Sequence, residues 1–193
     1  VTHTIEPLGR RRYWPIYEAA AANNLPIGLH VSGNNGRAVT PAGWPSTYAE
    51  WHQEVAISQQ AVLTSLVCEG VLARNPGLRV VMVEAGLAWV PSLLWRLDRH
   101  WARMRDEVPH LDEPPSSYVR RQMWFTTQPL DEPERPEDIL KVLDWIGWDR
   151  ILFATDYPHW DFDDPETAFK VRMTAAQRRM VFRDNARAAY GLA

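Results

Sequence analysis

The sequence is short of several things, and each shortage removes a class of function. Cysteine occurs once, as Cys68 in an apolar stretch, so there is no internal disulfide framework and a buried structural thiol is expected. A reducing, cytoplasmic setting follows as an expectation. No apolar run reaches the roughly eighteen residues needed to span a bilayer. The start Val1-Thr2-His3-Thr4 lacks the basic and apolar regions of a signal peptide, and no initiator methionine is present. Basic charge is not in excess: at a net charge of -3 there is no electrostatic reason to expect nucleic acid or an anionic membrane as partner. The one basic cluster, Arg10, Arg11 and Arg12, reads as a solvated face beside a helix start. No repeat at a fixed short period is visible, which excludes a solenoid.

What is present suits one globular domain, since 46% of the 193 residues are hydrophobic and no linker divides them. After a helix over 13–23, short apolar segments alternate with helical spacing. Strands are expected at 25–31, 78–84, 122–127 and from Ile151 onward. The intervening helices are expected at 48–74 (one helix, or two with a break), 89–105 and 136–146. A last helix runs from an N-cap at Thr174 to a stop at Gly191. The stretch 106–115 reads as a polar connector. Strands alternating with helices in this way indicate an α/β fold, four parallel strands with helices packed over them.

In such folds ligands bind beyond the carboxyl ends of the strands, and all four strands present polar groups there. His30 ends the first strand, Glu84 the second, Thr126 and Thr127 the third, and Asp156 follows the apolar run of the fourth. Imidazole and carboxylate together are standard ligands for a borderline divalent ion such as zinc, which is the expected cofactor. Each residue also has a plainer reading. His30 as a core histidine bonded to a backbone carbonyl stands beside His30 as a ligand. Asp156 can cap the turn around Pro158, Glu84 can pair with Arg96, and His159 can be a loop histidine, though an imidazole beside a metal-site carboxylate suits proton transfer. Trp44 and Trp160 are candidate pocket walls, whereas Trp89, Trp95 and Trp101 read as core or interface.

Four segments carry a resemblance. Pro26-Ile27-Gly28-Leu29-His30-Val31-Ser32-Gly33, Val81-Met82-Val83-Glu84-Ala85-Gly86 with Trp95-Arg96-Leu97-Asp98, Phe153-Ala154-Thr155-Asp156-Tyr157-Pro158-His159-Trp160-Asp161 and the tail from Asp184-Asn185-Ala186 to Tyr190-Gly191 are similar to the amidohydrolase-2 family. That amidohydrolase-related, metal-dependent group includes aminocarboxymuconate semialdehyde decarboxylase and related aromatic-acid decarboxylases. The resemblance implies a (β/α)8 barrel of the TIM type, with one divalent ion at its C-terminal mouth held by a His-x-His pair on the first strand, a His on the fifth and an Asp on the eighth. His30 matches the fifth-strand ligand and Asp156 the eighth. The chain is then expected to be the C-terminal half of the barrel, starting near the fourth helix, with an incomplete metal site. There are two departures: no His-x-His is present, and Glu84 stands where the decarboxylase branch has a catalytic His.

The resemblance implies a metal-dependent hydrolase or nonoxidative decarboxylase of a small carboxylic or aromatic substrate. Asp156, His159 and Glu84 are the candidate catalytic groups, Arg96 and Trp160 the candidate substrate contacts, and the loops 33–48 and 106–118 the expected covers. The alternative is a half barrel that serves as a binding or assembly module. In either case the open sheet edges call for a second copy of the chain or an N-terminal half.

Overall fold

The computed structural model describes residues 6–31 and 38–192. Four strands form one parallel sheet in the order β1 (Pro26–His30), β2 (Arg79–Val83), β3 (Met123–Thr126) and β4 (Ile151–Leu152). This is the expected α/β alternation. Val80, Val81, Met82 and all of β3 are buried, as continuous apolar strands must be when both faces of a sheet are covered. Strand residues alternate between two apolar clusters. Val80, Met82 and Phe125 belong to the larger one with the helices, while Val81, Trp124 and Leu152 face the other way, against Ala189.

The register Gly28↔Val81, Val81↔Trp124, Phe125↔Ile151 and Thr126↔Leu152 aligns the strands, so that their C-terminal ends open on one side. Helices α1 (Trp14–Ala22), α2 (Tyr48–Cys68), α3 (Val71–Arg74), α4 (Trp89–Arg103), α5 (Pro115–Gln122) and α6 (Asp138–Ile146) connect and cover them. Thr47 starts α2 by accepting the Glu50 N–H at 3.2 Å. The expected break in the 48–74 stretch is at Gly70, whose φ of 77° belongs to the left-handed region and whose added Cβ would meet the His110 ring at 2.4 Å.

Several expectations are corrected. The connector 106–115 is followed by helix α5, which the prolines concealed; Pro115 sits in its first turn, where proline is compatible with a helix. β4 stops after Leu152, because the Phe153 N–H bonds the Val181 carbonyl at 3.0 Å rather than β3. The last helix is continuous from Ala175 to Tyr190, as expected, with a π-helical turn over Met180–Asp184 between α7 (Ala175–Arg179) and α8 (Asn185–Tyr190). Its ends are as expected, with Thr174 in a capping box and Gly191 at φ 66°. Arg10 and Arg12 are solvated and pair with Glu69 and Glu6. Cys68 is only half-buried, which is enough to push its thiol up. The loop 32–36 and the residues 1–4 lie outside the described residues. No helix among the described residues is long and apolar enough to cross a membrane.

Candidate active site

Parallel topology delivers one polar group per strand to the same mouth. Glu84 and Asp156 both follow a strand and both have a φ of 57°, a conformation that costs a residue bearing a side chain roughly 1 kcal/mol. Such strain persists where surrounding structure holds it: the Glu84 N–H donates to Thr126 Oγ1 at 3.0 Å, and the Ala154 N–H to Thr127 Oγ1 at 3.2 Å. The result is a cluster in which ligand atoms of Glu84, Asp156 and His159 all lie within 4.8 Å of one another. His30 adjoins it, with Nε2 at 3.0 Å from Glu84 Oε2.

The electrostatics are those of a site short of positive charge. Burial pushes the Glu84 carboxyl up, the neighbouring Asp156 carboxylate adds to this, and His30 and His159 oppose it. His159 Nδ1 donates to Asp156 Oδ2 at 2.6 Å, and this hydrogen bond is the main reason that its imidazole is pushed up. The His30 Nδ1 contacts the Val31 carbonyl. A carbonyl only accepts, so Nδ1 donates a hydrogen to it, while Nε2 faces the Glu84 carboxylate. His30 is therefore both bonded to a backbone carbonyl and placed at the mouth; it is exposed, not a core residue.

A cavity of about 430 Å³ extends from this cluster, lined by Glu84 and His159 and walled by Tyr48, Trp51, His52 and Trp160. The Trp160 ring meets Tyr48 edge-on, with centroids 6.2 Å apart. The floor is rigid: Asp131 Oδ2 accepts the N–H groups of Leu87 and Ala88, each at 2.8 Å, at the start of α4.

The structure thus brings Glu84, Asp156, His159, His30 and Trp160 to one mouth. It does not bring Arg96 there. Arg96 is exposed on α4 and does not line the cavity; Glu84 pairs with His30, and Asp98 is occupied by the Ser116 backbone and hydroxyl at 2.9 and 2.6 Å. Trp44 does not line the cavity either. Trp95 is 57% exposed and packs edge-on against Trp145. The segment 106–118 is no cover: it follows α4 back to the far end of the sheet, where the His110 ring bonds the Cys68 carbonyl at 2.8 Å. Residues 38–48 of the other expected cover are described, and they supply Tyr48 to the cavity wall. Sequence reasoning missed Tyr48, Trp51, His52 and Asp161. For Tyr48, Trp51 and His52 the one available signal was position, since the start of α2 must lie beside the C-terminal end of β1; Asp161 stood at the end of the Phe153–Asp161 segment.

A family profile described as Amidohydrolase (Amidohydro_2) matches residues 2–192. The chain belongs to the amidohydrolase family. Among curated relatives, a gamma-resorcylate decarboxylase of Polaromonas sp. is 25% identical over 183 residues, covering 91% of this chain and 53% of that protein. The chain thus spans about half the length of the curated relatives it matches. An amidohydrolase from Mycobacterium avium subsp. paratuberculosis superposes with a TM-score of 0.74 at 24% identity, covering 95% of this chain and 47% of that one. A dihydroxybenzoic acid decarboxylase from Polaromonas sp. JS666, with bound manganese and the inhibitor 2-nitroresorcinol, gives 0.67 at 21% identity, covering 96% and 55%. The four parallel strands therefore correspond to part of an amidohydrolase barrel.

Proposed function

We propose that these residues form the metal-binding and proton-handling side of a nonoxidative decarboxylase of small aromatic carboxylic acids. The observation that carries the reading is the convergence of Glu84 and Asp156 within 4.8 Å at a partly buried mouth, each on a strained backbone. Two carboxylates share such a site at a cost that a divalent cation removes. The donors fit one: the carboxylates of Glu84 and Asp156 and the imidazole of His159, with His30 beside Glu84. Zinc, the ion expected from the sequence, accepts this set. The carboxylate share and the manganese in the Polaromonas decarboxylase favour manganese.

A bound ion would supply positive charge where an anionic substrate group binds. This matters because no Lys or Arg lines the cavity among the described residues. The other steps belong to the protein's own groups. Trp160, Tyr48 and Trp51 hold an aromatic ring and exclude water from it. The hydrogen-bonded pair His159–Asp156 supplies the proton that takes the place of the carboxyl group on the ring carbon. The carbon–carbon bond breaks, its electron pair stays with the ring carbon, and carbon dioxide leaves. The outer strands β1 and β4 each have an edge that further strands, from the same protein or a second copy, would complete.

The test is incubation of the manganese-loaded protein with a panel of hydroxylated benzoates. The reading predicts release of carbon dioxide with an equal amount of the decarboxylated phenol. Cleavage of ester or amide substrates without any carbon dioxide release would contradict it.

A further inference from the structure

Beside the carboxylate cluster lies a second polar group that the proposed chemistry does not use. His52, near the start of α2, places Nε2 at 3.2 Å from Asp161 Oδ2, with side-chain exposures of 22% and 15%. Asp161 is held in turn: the Gln128 amide nitrogen is 3.3 Å from its carbonyl and 3.3 Å from Oδ2, and Gln128 is 1% exposed. The His52 ring is flanked by Tyr48 and Trp160, each at 5.9 Å between centroids. It therefore has one orientation, fixed by a carboxylate behind and aromatic rings beside it.

This orientation determines the chemistry of the exposed nitrogen. A carboxylate accepts, so Nε2 carries the hydrogen and the neutral ring presents a bare lone pair at Nδ1. Nδ1 has no hydrogen-bond partner among the described residues, although His52 lines the 430 Å³ cavity with Glu84, His159 and Trp160. A fixed, unpartnered acceptor on the wall of an aromatic slot selects for a donor, because a ligand without one leaves the acceptor desolvated and unpaired.

We infer that His52, oriented by Asp161 and Gln128, is a specificity-determining residue that accepts a hydrogen bond at Nδ1 from a hydroxyl group on the aromatic ring of the substrate. This deepens the proposed function and rests on the aromatic-acid reading of the site. The discrimination expected from one such bond is about tenfold in affinity.

The experiment measures, by calorimetry on the manganese-loaded protein, binding of benzoate, its three monohydroxy derivatives and their methyl ethers. At least one hydroxybenzoate should bind about tenfold more tightly than its methyl ether, since the ether lacks the donor hydrogen. In His52→Phe, which keeps an aromatic ring against Tyr48 and Trp160, that preference should fall below about twofold. Asp161→Asn gives an independent result. Its amide can donate to Nε2 and turn Nδ1 into a donor, so the preference should swing toward the methyl ether. A preference that survives in both variants, or is absent from the unaltered protein, overturns the role of His52 alone. If no benzoate binds at all, the aromatic-acid reading fails and this inference falls with it.

Discussion

Asp156→Asn is expected to lower kcat/KM for the decarboxylated acid by roughly a thousandfold, equivalent to about 4 kcal/mol of lost charge stabilisation. The bound metal should fall well below one equivalent. The fold should hold, because asparagine tolerates the left-handed backbone that Asp156 adopts at φ 57°. Removing one of two converging carboxylates also relieves the repulsion that helps push Glu84 up. The melting temperature of the metal-free variant should therefore be no lower than that of the unaltered protein. Elemental analysis, steady-state kinetics and thermal unfolding check the three parts, and retained turnover would remove Asp156 from the chemistry.

Asn185→Ala should cost about 2–4 kcal/mol in unfolding free energy. Asn185 is 4% exposed, and its Nδ2 donates to the carbonyls of Trp148 and Ile151 at 2.6 and 2.7 Å. Alanine leaves both acceptors without this donor next to the two-residue strand β4, in a region where Phe153 bonds Val181 instead of β3. This asparagine thus holds the start of β4, the strand that Asp156 follows, and its loss should weaken metal binding as well as stability. Urea unfolding measures the first effect and a manganese titration the second. A change below about 0.5 kcal/mol would show that the clamp contributes nothing.

Asn185 also shows what was legible in the sequence. It stood in the tail that resembled the amidohydrolases, yet nothing in its neighbours disclosed that it binds β4. The strands were readable because a buried parallel strand is a continuous apolar run, and Val80 to Val83 is a clear case. His30, Glu84 and Asp156 were readable for a related reason, since parallel topology places every strand end at one mouth. α5 was hidden by Pro114 and Pro115, which read as a connector although proline suits a first helical turn. Arg96 was placed as a substrate contact from within the Trp95-Arg96-Leu97-Asp98 segment, but helix geometry puts it on the exposed face of α4. The pairing of His52 with Asp161 was not readable, because it joins the start of one helix to a loop remote in sequence. Such meetings are set by packing, not by spacing.

The proposed role of Glu84 and Asp156 is to hold a divalent ion at the strand ends. Crystals of the protein grown with manganese, measured for anomalous scattering at the manganese edge, test it directly. The prediction is one strong peak bonded to Asp156 and flanked by Glu84 and an imidazole from His30 or His159. A mouth without a peak, or an ion bound beyond the reach of Asp156, would contradict it.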